Sequence, residues 1–179
     1  MASSKSEQLQ TLFQKYSQSE FPEVKSIRVS ELHQLLEDKK DSDVLLIDVR
    51  TPEEQEVSRL PGHVLTQKEF ETCKQHYLNS PLVTYCTAGV RSGRYAKVLQ
   101  QEGFTNVCNL EGSILAWTQA GYPLVTANQE PTKQVHVCGK QWALQGEGYE
   151  PVWFKGAKGA LIALGDWGSR LFNSAFRKS

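Results

Sequence analysis

Pro81-Leu82-Val83-Thr84-Tyr85-Cys86-Thr87-Ala88-Gly89-Val90-Arg91-Ser92-Gly93 reads as an apolar strand stopping at a cysteine, a tight turn of small residues, and the start of a helix. The first helical residues by this reading are Arg91 and Ser92. A helix start leaves backbone N–H groups unpaired, with the positive end of the helix dipole behind them. Successive N–H groups in such a turn form a concavity suited to an anion. The anion expected here is the sulfur of Cys86. A thiol titrates near ~8.5, and a helix start beside a guanidinium brings it to about 3.5–7.5. The thiolate is the nucleophile, and small residues at Thr87, Ala88 and Gly89 let the backbone curl around it without blocking access. Arg91 has two candidate jobs, stabilising the loop carbonyls and holding an anionic substrate. A cysteine ending a strand is in general a small buried core residue. The coincidence of strand, turn, helix start and an arginine five positions on favours the nucleophile. This reading requires a thiol open to a small pocket and amides facing it.

Working outward, Val44-Leu45-Leu46-Ile47-Asp48-Val49 is a nearly unbroken apolar run, the pattern of a strand covered on both faces. Thr51-Pro52-Glu53-Glu54 follows Arg50 as an N-cap, a first-turn proline and a capping box. Asp48 and Arg50 therefore lie at the C-terminal end of a strand, where open α/β sheets place ligands. They form either a structural salt bridge or a support beside the cysteine loop. Ile27 and Val29 suggest a first strand, with Ser30 capping a helix whose apolar side is Leu32, Leu35 and Leu36. Pro61 to Leu65 reads as a turn and a short strand, and Thr66 to Glu69 as a second capping box opening a helix to about Tyr77. Val107 to Leu110 is a further strand. Helices are expected over 6–19, after the cysteine loop as far as Gly103, and over 112–120. Strands alternating with helices argue for a parallel sheet covered on both faces. His63, the pair Cys73 and His76, and the pair His136 and Cys138 read as structural, since two candidate ligands do not make a metal site.

The chain has 179 residues, 20 basic and 20 acidic, so no overall field draws in nucleic acid or an anionic membrane. Cys73, Cys86, Cys108 and Cys138 lack framework spacing, which points to reduced thiols. With no apolar signal core near Met1, the expected setting is cytoplasmic.

Taken together, these residues resemble the rhodanese-like sulfurtransferases. The match runs from about Ser26 to Leu124. It rests on Leu46-Ile47-Asp48-Val49-Arg50 with Glu53 and Glu54, on Tyr85 to Ser92, and on Leu110-Glu111-Gly112 followed by Trp117, Gly121 and Pro123. The resemblance implies an α/β fold with a five-stranded parallel sheet flanked by helices. It also implies that Cys86 takes a sulfane sulfur from a donor such as thiosulfate, becomes a persulfide, and passes the sulfur to cyanide or a thiol. The anion-binding loop is then Thr87, Ala88, Gly89, Val90 and Arg91, with Asp48, Arg50 and Ser92 supporting. No metal or organic cofactor is implied. Thr87 and Ala88 are neutral where thiosulfate-using members often carry a basic residue, and Ser113 replaces a frequent second glycine. A catalytically weak binding module of the same fold is the alternative. Cysteine phosphatases and arsenate reductases of this fold group have five residues between cysteine and arginine, whereas four separate Cys86 from Arg91.

The expected organisation is an N-terminal helix (1–22), the rhodanese-like unit (23–125) and an extension of unassigned role (126–179). Val135 to Gly139 alternates like an edge strand, and the aromatic stretch Tyr149 to Phe154 is expected to fold back on the sheet. Residues 156–179 have apolar groups at roughly helical spacing and a basic excess. They suggest a packed helix, or a contact with a protein or an anionic membrane surface. Assembly state is left open.

Overall fold

Apolar runs bounded by capping boxes leave few choices for how this chain folds, and a computed structural model describes residues 3–38 and 43–154. Helix α1 (Lys5–Glu20) opens at Ser4, whose hydroxyl accepts from the Glu7 N–H while Glu7 accepts from the Ser4 N–H. Strand β1 is Lys25–Ile27, α2 is Val29–Glu37, β2 is Leu45–Asp48 and α3 is Pro52–Val57. Then come β3 (Val64–Thr66), α4 (Gln67–Cys73), a 3-10 turn (Lys74–Tyr77) and β4 (Leu82–Tyr85). Helix α5 is Val90–Gln101, β5 is Val107–Leu110 and α6 is Ser113–Gln119. Four short strands follow: β6 (Leu124–Val125), β7 (Pro131–Thr132), β8 (Gln134–His136) and β9 (Glu150–Val152).

Strands β1 to β5 form one sheet in the order β1-β5-β4-β2-β3, every pair parallel. The expected five-stranded parallel sheet is therefore present, with β4 at its centre. All four residues of β2 and of β4 are buried, as strands covered on both faces require. Side chains alternate across the sheet. Leu45, Ile47 and Leu82 join Phe13, Phe21, Phe70, Tyr95 and Leu99 on one face. Leu46, Val83 and Tyr85 join Leu32, Ile114 and Trp117 on the other. Trp117 has no exposed surface and donates its indole N–H to the Pro123 carbonyl at 2.8 Å.

Two expectations shift in detail. Val29 is the first residue of α2 and not part of β1, and Arg28 rather than Ser30 precedes the helix. The Arg28 N–H donates to Glu31 Oε2 at 2.9 Å, so a glutamate three residues on selects the start, overriding the better capping hydroxyl of Ser30.

Part of the segment after α6 folds back as expected for its aromatic residues, while Trp153 stays exposed. Val135 and Tyr149 are buried in the cluster that contains Trp117. Strand β8 pairs in parallel with β9, so it has a partner on one side. Helix α1 likewise packs Leu9 and Phe13 into the core. The expected amphipathic tail 156–179 lies outside the described residues. Among those residues, no helix is long and apolar enough to cross a membrane.

Candidate active site

Strand β4 delivers Cys86 to the C-terminal edge of the sheet at its centre, and the chain turns at once into α5. Gly89 makes that turn at φ +91°, a conformation open to glycine. A Cβ at Gly89 would also lie 2.8 Å from the Phe13 ring. With glycine there, the Gly89 N–H donates to Cys86 Sγ at 3.2 Å. The Ser92 hydroxyl lies 3.5 Å from the same sulfur and 2.7 Å from Asn109 Oδ1. Asn109 Nδ2 in turn donates to the Gly89 carbonyl at 2.8 Å, so β5 braces the second half of the loop.

The loop is also held from α6. The Cys86 N–H donates to Ser113 Oγ at 3.1 Å, while the N–H groups of Ile114 and Leu115 donate to the Cys86 and Thr87 carbonyls. The unpaired donors of a helix start are thereby satisfied by the cysteine loop itself. Ser113 adopts φ +50° to place its hydroxyl there, which is the structural meaning of serine where glycine is frequent.

Arg91 does not stand alone at the loop's end. Its Nη1 donates to Glu54 Oε2 and its Nη2 to Glu54 Oε1, each at 2.8 Å, and Nη2 also reaches Thr87 Oγ1 at 3.0 Å. Thr87 Oγ1 donates to Glu54 Oε1 at 3.2 Å. Glu54 is fully buried in α3, where the same carboxylate accepts the Thr51 N–H as a capping box. Burial alone would raise the Glu54 pKa. Arg91 above all, with His136 and Arg50, holds it far below the carboxylate range. His136 Nδ1 lies 3.2 Å from Glu54 Oε1, which brings β8 to the same point.

Asp48 and Arg50 form a second buried pair beneath this one. Arg50 Nη2 lies 2.7 Å from Asp48 Oδ2, and Nε lies 3.0 Å from Oδ1. Arg50 Nη2 also donates to the Ser58 carbonyl at 2.7 Å. Of the two readings open in sequence, the geometry is that of a structural bridge. It ties β2 to the C-terminal end of α3, and α3 presents Glu54.

Cys86 is 2% exposed and forms the floor of a cavity of about 150 Å³. Thr87, Ala88, Val90 and Arg91 line it from the loop, Leu12 and Tyr16 from α1, Leu115 from α6, and Cys138 and Trp142 from the C-terminal segment. Arg94, at the rim, is paired with Glu20. Burial would push the Cys86 thiol up. Arg91, the Ser92 hydroxyl and N–H, and the Gly89 N–H outweigh it and hold the thiol below its ordinary value. Arg91 responds to the same cluster: burial opposes its charge, while Glu54, Cys86 and Cys138 keep it firmly protonated.

Of the nine sequence-derived candidates, Cys86, Thr87, Ala88, Val90 and Arg91 line the cavity, Gly89 and Ser92 contact Cys86 Sγ, and Asp48 pairs with Arg50 beside α3. Four participants escaped that reading as site residues: Glu54, Asn109, Ser113 and His136. Glu54 was visible as a capping residue, and a buried carboxylate facing an arginine was the available signal.

The sequence model of the rhodanese-like domain matches residues 28–120, just over half of the chain. A protein named sulfurtransferase from Allochromatium vinosum is 36% identical over 108 residues, covering 57% of this chain and 95% of that protein. A tRNA uridine(34) hydroxylase from Kocuria rhizophila is 32% identical over 99 residues, covering 50% of this chain but 33% of that protein. Among solved structures, a protein of unknown function from Rhodopseudomonas palustris, described as a possible tyrosine phosphatase, superposes with a TM-score of 0.51. It is 26% identical, and the superposition covers 65% of this chain and 92% of that one. A parallel sheet with the cysteine loop on its central strand and a family match across four of its five strands lead to one assignment: the chain belongs to the rhodanese-like domain family.

Proposed function

We propose that this protein is a sulfurtransferase in which Cys86 carries a sulfane sulfur as a persulfide. The observation that carries the reading is the environment of Cys86 Sγ. The sulfur faces a small cavity, accepts the Gly89 N–H, and is held below its ordinary pKa near an arginine that Glu54 locks in place. The similarity to a relative named sulfurtransferase supports it.

In the first half-reaction the Cys86 thiolate attacks the outer sulfur of a donor such as thiosulfate. The Cys86–sulfur bond forms, the donor's S–S bond breaks, and sulfite leaves with the electron pair. In the second, a thiophile attacks the outer sulfur of the persulfide and Cys86 departs as thiolate. Preformed donors stabilise the anion in both states without reorganising, and two half-reactions predict ping-pong kinetics. The charges on Arg91 and Arg94 are each compensated by a glutamate, and Thr87 and Ala88 are neutral. This favours a donor less charged than thiosulfate, such as the persulfide of a small thiol. The setting and the final acceptor in the cell belong to the same proposal, with a soluble thiol as the acceptor class.

Incubation with thiosulfate or a small-thiol persulfide, followed by intact mass measurement, tests the reading. A gain of one sulfur that disappears in Cys86→Ser is expected. No gain with any sulfane donor would reject the carrier role and favour a binding module. The likeness to a possible tyrosine phosphatase is met by a separate assay: hydrolysis of an aryl phosphate is expected to be absent. Four residues between Cys86 and Arg91 make a narrow ring, and the Arg91 guanidinium is already occupied by Glu54.

A further inference from the structure

Cys138 lies beyond the segment that matches the family, yet it lines the same cavity as Cys86. The two thiols differ in access. Cys86 is buried at the cavity floor, whereas Cys138 is exposed, and neither is in a disulfide. The position of Cys138 is not left to a loose loop. Two residues before it, His136 is buried in β8, 3.2 Å from Glu54 Oε1, and the intervening Val137 is fully buried against Leu9 and Leu115. The Val137 N–H donates to the Val152 carbonyl at 2.8 Å. The carboxylate that locks Arg91 in the cysteine loop is thus the one that receives the strand just before Cys138.

A cavity of about 150 Å³ with its sulfur at the floor admits a small donor. A sulfur loaded on Cys86 sits on a side chain that is 2% exposed, and an exposed carrier on the same cavity would bring it to the surface. We propose that Cys138 is that carrier, an intramolecular acceptor that takes the sulfane sulfur from Cys86 and offers it to a protein or peptide thiol.

The step rests on the persulfide reading of Cys86 and balances without an outside oxidant or reductant. The Cys138 thiolate attacks the outer sulfur of the Cys86 persulfide. The Cys138–sulfur bond forms, the bond between that sulfur and Cys86 Sγ breaks, and Cys86 leaves as thiolate with the electron pair. The proton lost by Cys138 goes to solvent, and the persulfide it gains carries the same oxidation level as the one consumed. Exchange of this type is faster when the leaving thiol has the lower pKa, and Cys86 is the thiol that the site stabilises as an anion.

The test uses the full chain loaded with a sulfane donor, quenched by alkylation, digested, and mapped by peptide mass. In the wild-type protein the extra sulfur is expected on both the Cys86 and the Cys138 peptides. In Cys138→Ser it is expected on Cys86 alone, and in Cys86→Ser on neither. The ratio of transfer rates to a protein dithiol and to cyanide is expected to fall about tenfold or more in Cys138→Ser. Cys138→Ala, which removes the hydroxyl as well, should behave like the serine variant. Wild-type label confined to Cys86, with an unchanged rate ratio in both variants, overturns the relay and leaves Cys86 as carrier. A Cys86–Cys138 disulfide formed with release of hydrosulfide means attack on the inner sulfur, and also overturns the relay. Failure of the wild-type protein to load with any donor overturns the relay and the carrier reading together.

Discussion

Glu54 and Arg91, 37 positions apart, meet in a two-pronged pair in which both carboxylate oxygens accept from the guanidinium at 2.8 Å. The pair joins α3 to the start of α5, and therefore joins the edge side of the sheet to the cysteine loop. It determines what Arg91 can do. Held by Glu54 and Thr87, the guanidinium acts on Cys86 as a fixed nearby charge, and its orientation is set before any ligand arrives.

Removing one partner of a buried pair leaves an uncompensated charge, at a cost of roughly 3–5 kcal/mol. Glu54→Gln is expected to lose stability toward the lower end of that range, because Arg91 retains some exposure. The Glu54 pKa is depressed from 4.5, so its contribution is complete above pH 4.5 and is lost as pH falls toward the folded value. Urea midpoints between pH 7 and pH 3 should show a falling limb below pH 4.5 in the wild type. In Glu54→Gln that limb should be flatter, with the loss already present at pH 7. Equal pH dependence in the two proteins would remove Glu54 as its source.

Arg91→Met keeps much of the side-chain volume and deletes the charge that favours the Cys86 thiolate. Rates of alkylation at Cys86 against pH should place the wild-type midpoint below the ordinary thiol value, and the variant midpoint above that of wild type. Cys86→Ser identifies which alkylation is being followed. An unchanged midpoint would mean that the hydrogen bonds from Ser92 and Gly89 set the thiol without the arginine.

Gly89→Ala combines a positive φ with a Cβ placed 2.8 Å from the Phe13 ring and 3.2 Å from the Leu110 carbonyl. Overpacking of a filled core costs about 1–3 kcal/mol, with backbone strain in addition. The loop is expected to shift so that its N–H no longer reaches Cys86 Sγ, which raises the thiol midpoint. Thermal melting and the alkylation profile read the two effects separately; a change in neither would show that the turn tolerates a side chain.

Ser113→Ala retains the strained backbone but leaves the buried Cys86 N–H without the hydroxyl that accepts it at 3.1 Å. An unsatisfied buried donor costs about 1–3 kcal/mol. A drop of that size in the urea midpoint energy is expected, together with slower sulfur loading. Ser113→Gly relieves φ +50° while losing the same acceptor, and should fall between alanine and wild type.

Much of this was legible in the residues. The apolar runs Val44–Val49 and Pro81–Tyr85, each closed by turn chemistry, identify buried parallel strands, because alternate residues must face two apolar layers. Gly89 marked the turn, and Cys86 with Arg91 marked the loop. The start of α2 was misplaced by two residues because Ser30 is the better isolated cap, while the reciprocal bond from Arg28 to Glu31 decides the outcome. Local signals of this kind are read within one turn of chain.

What the sequence by itself determined is the order of strands and helices, the sheet's two buried faces, and the cysteine loop at a strand end. All of these follow from patterns spanning fewer than about ten residues. What only the tertiary structure decided is which distant groups meet at that loop. Glu54, Asn109, Ser113 and His136 come from four separate elements, and Cys138 reaches the cavity just after β8, which pairs with β9. No local periodicity encodes those meetings, because they result from packing α3, α6 and the C-terminal segment against one sheet edge, where a buried charge must find its counter-charge.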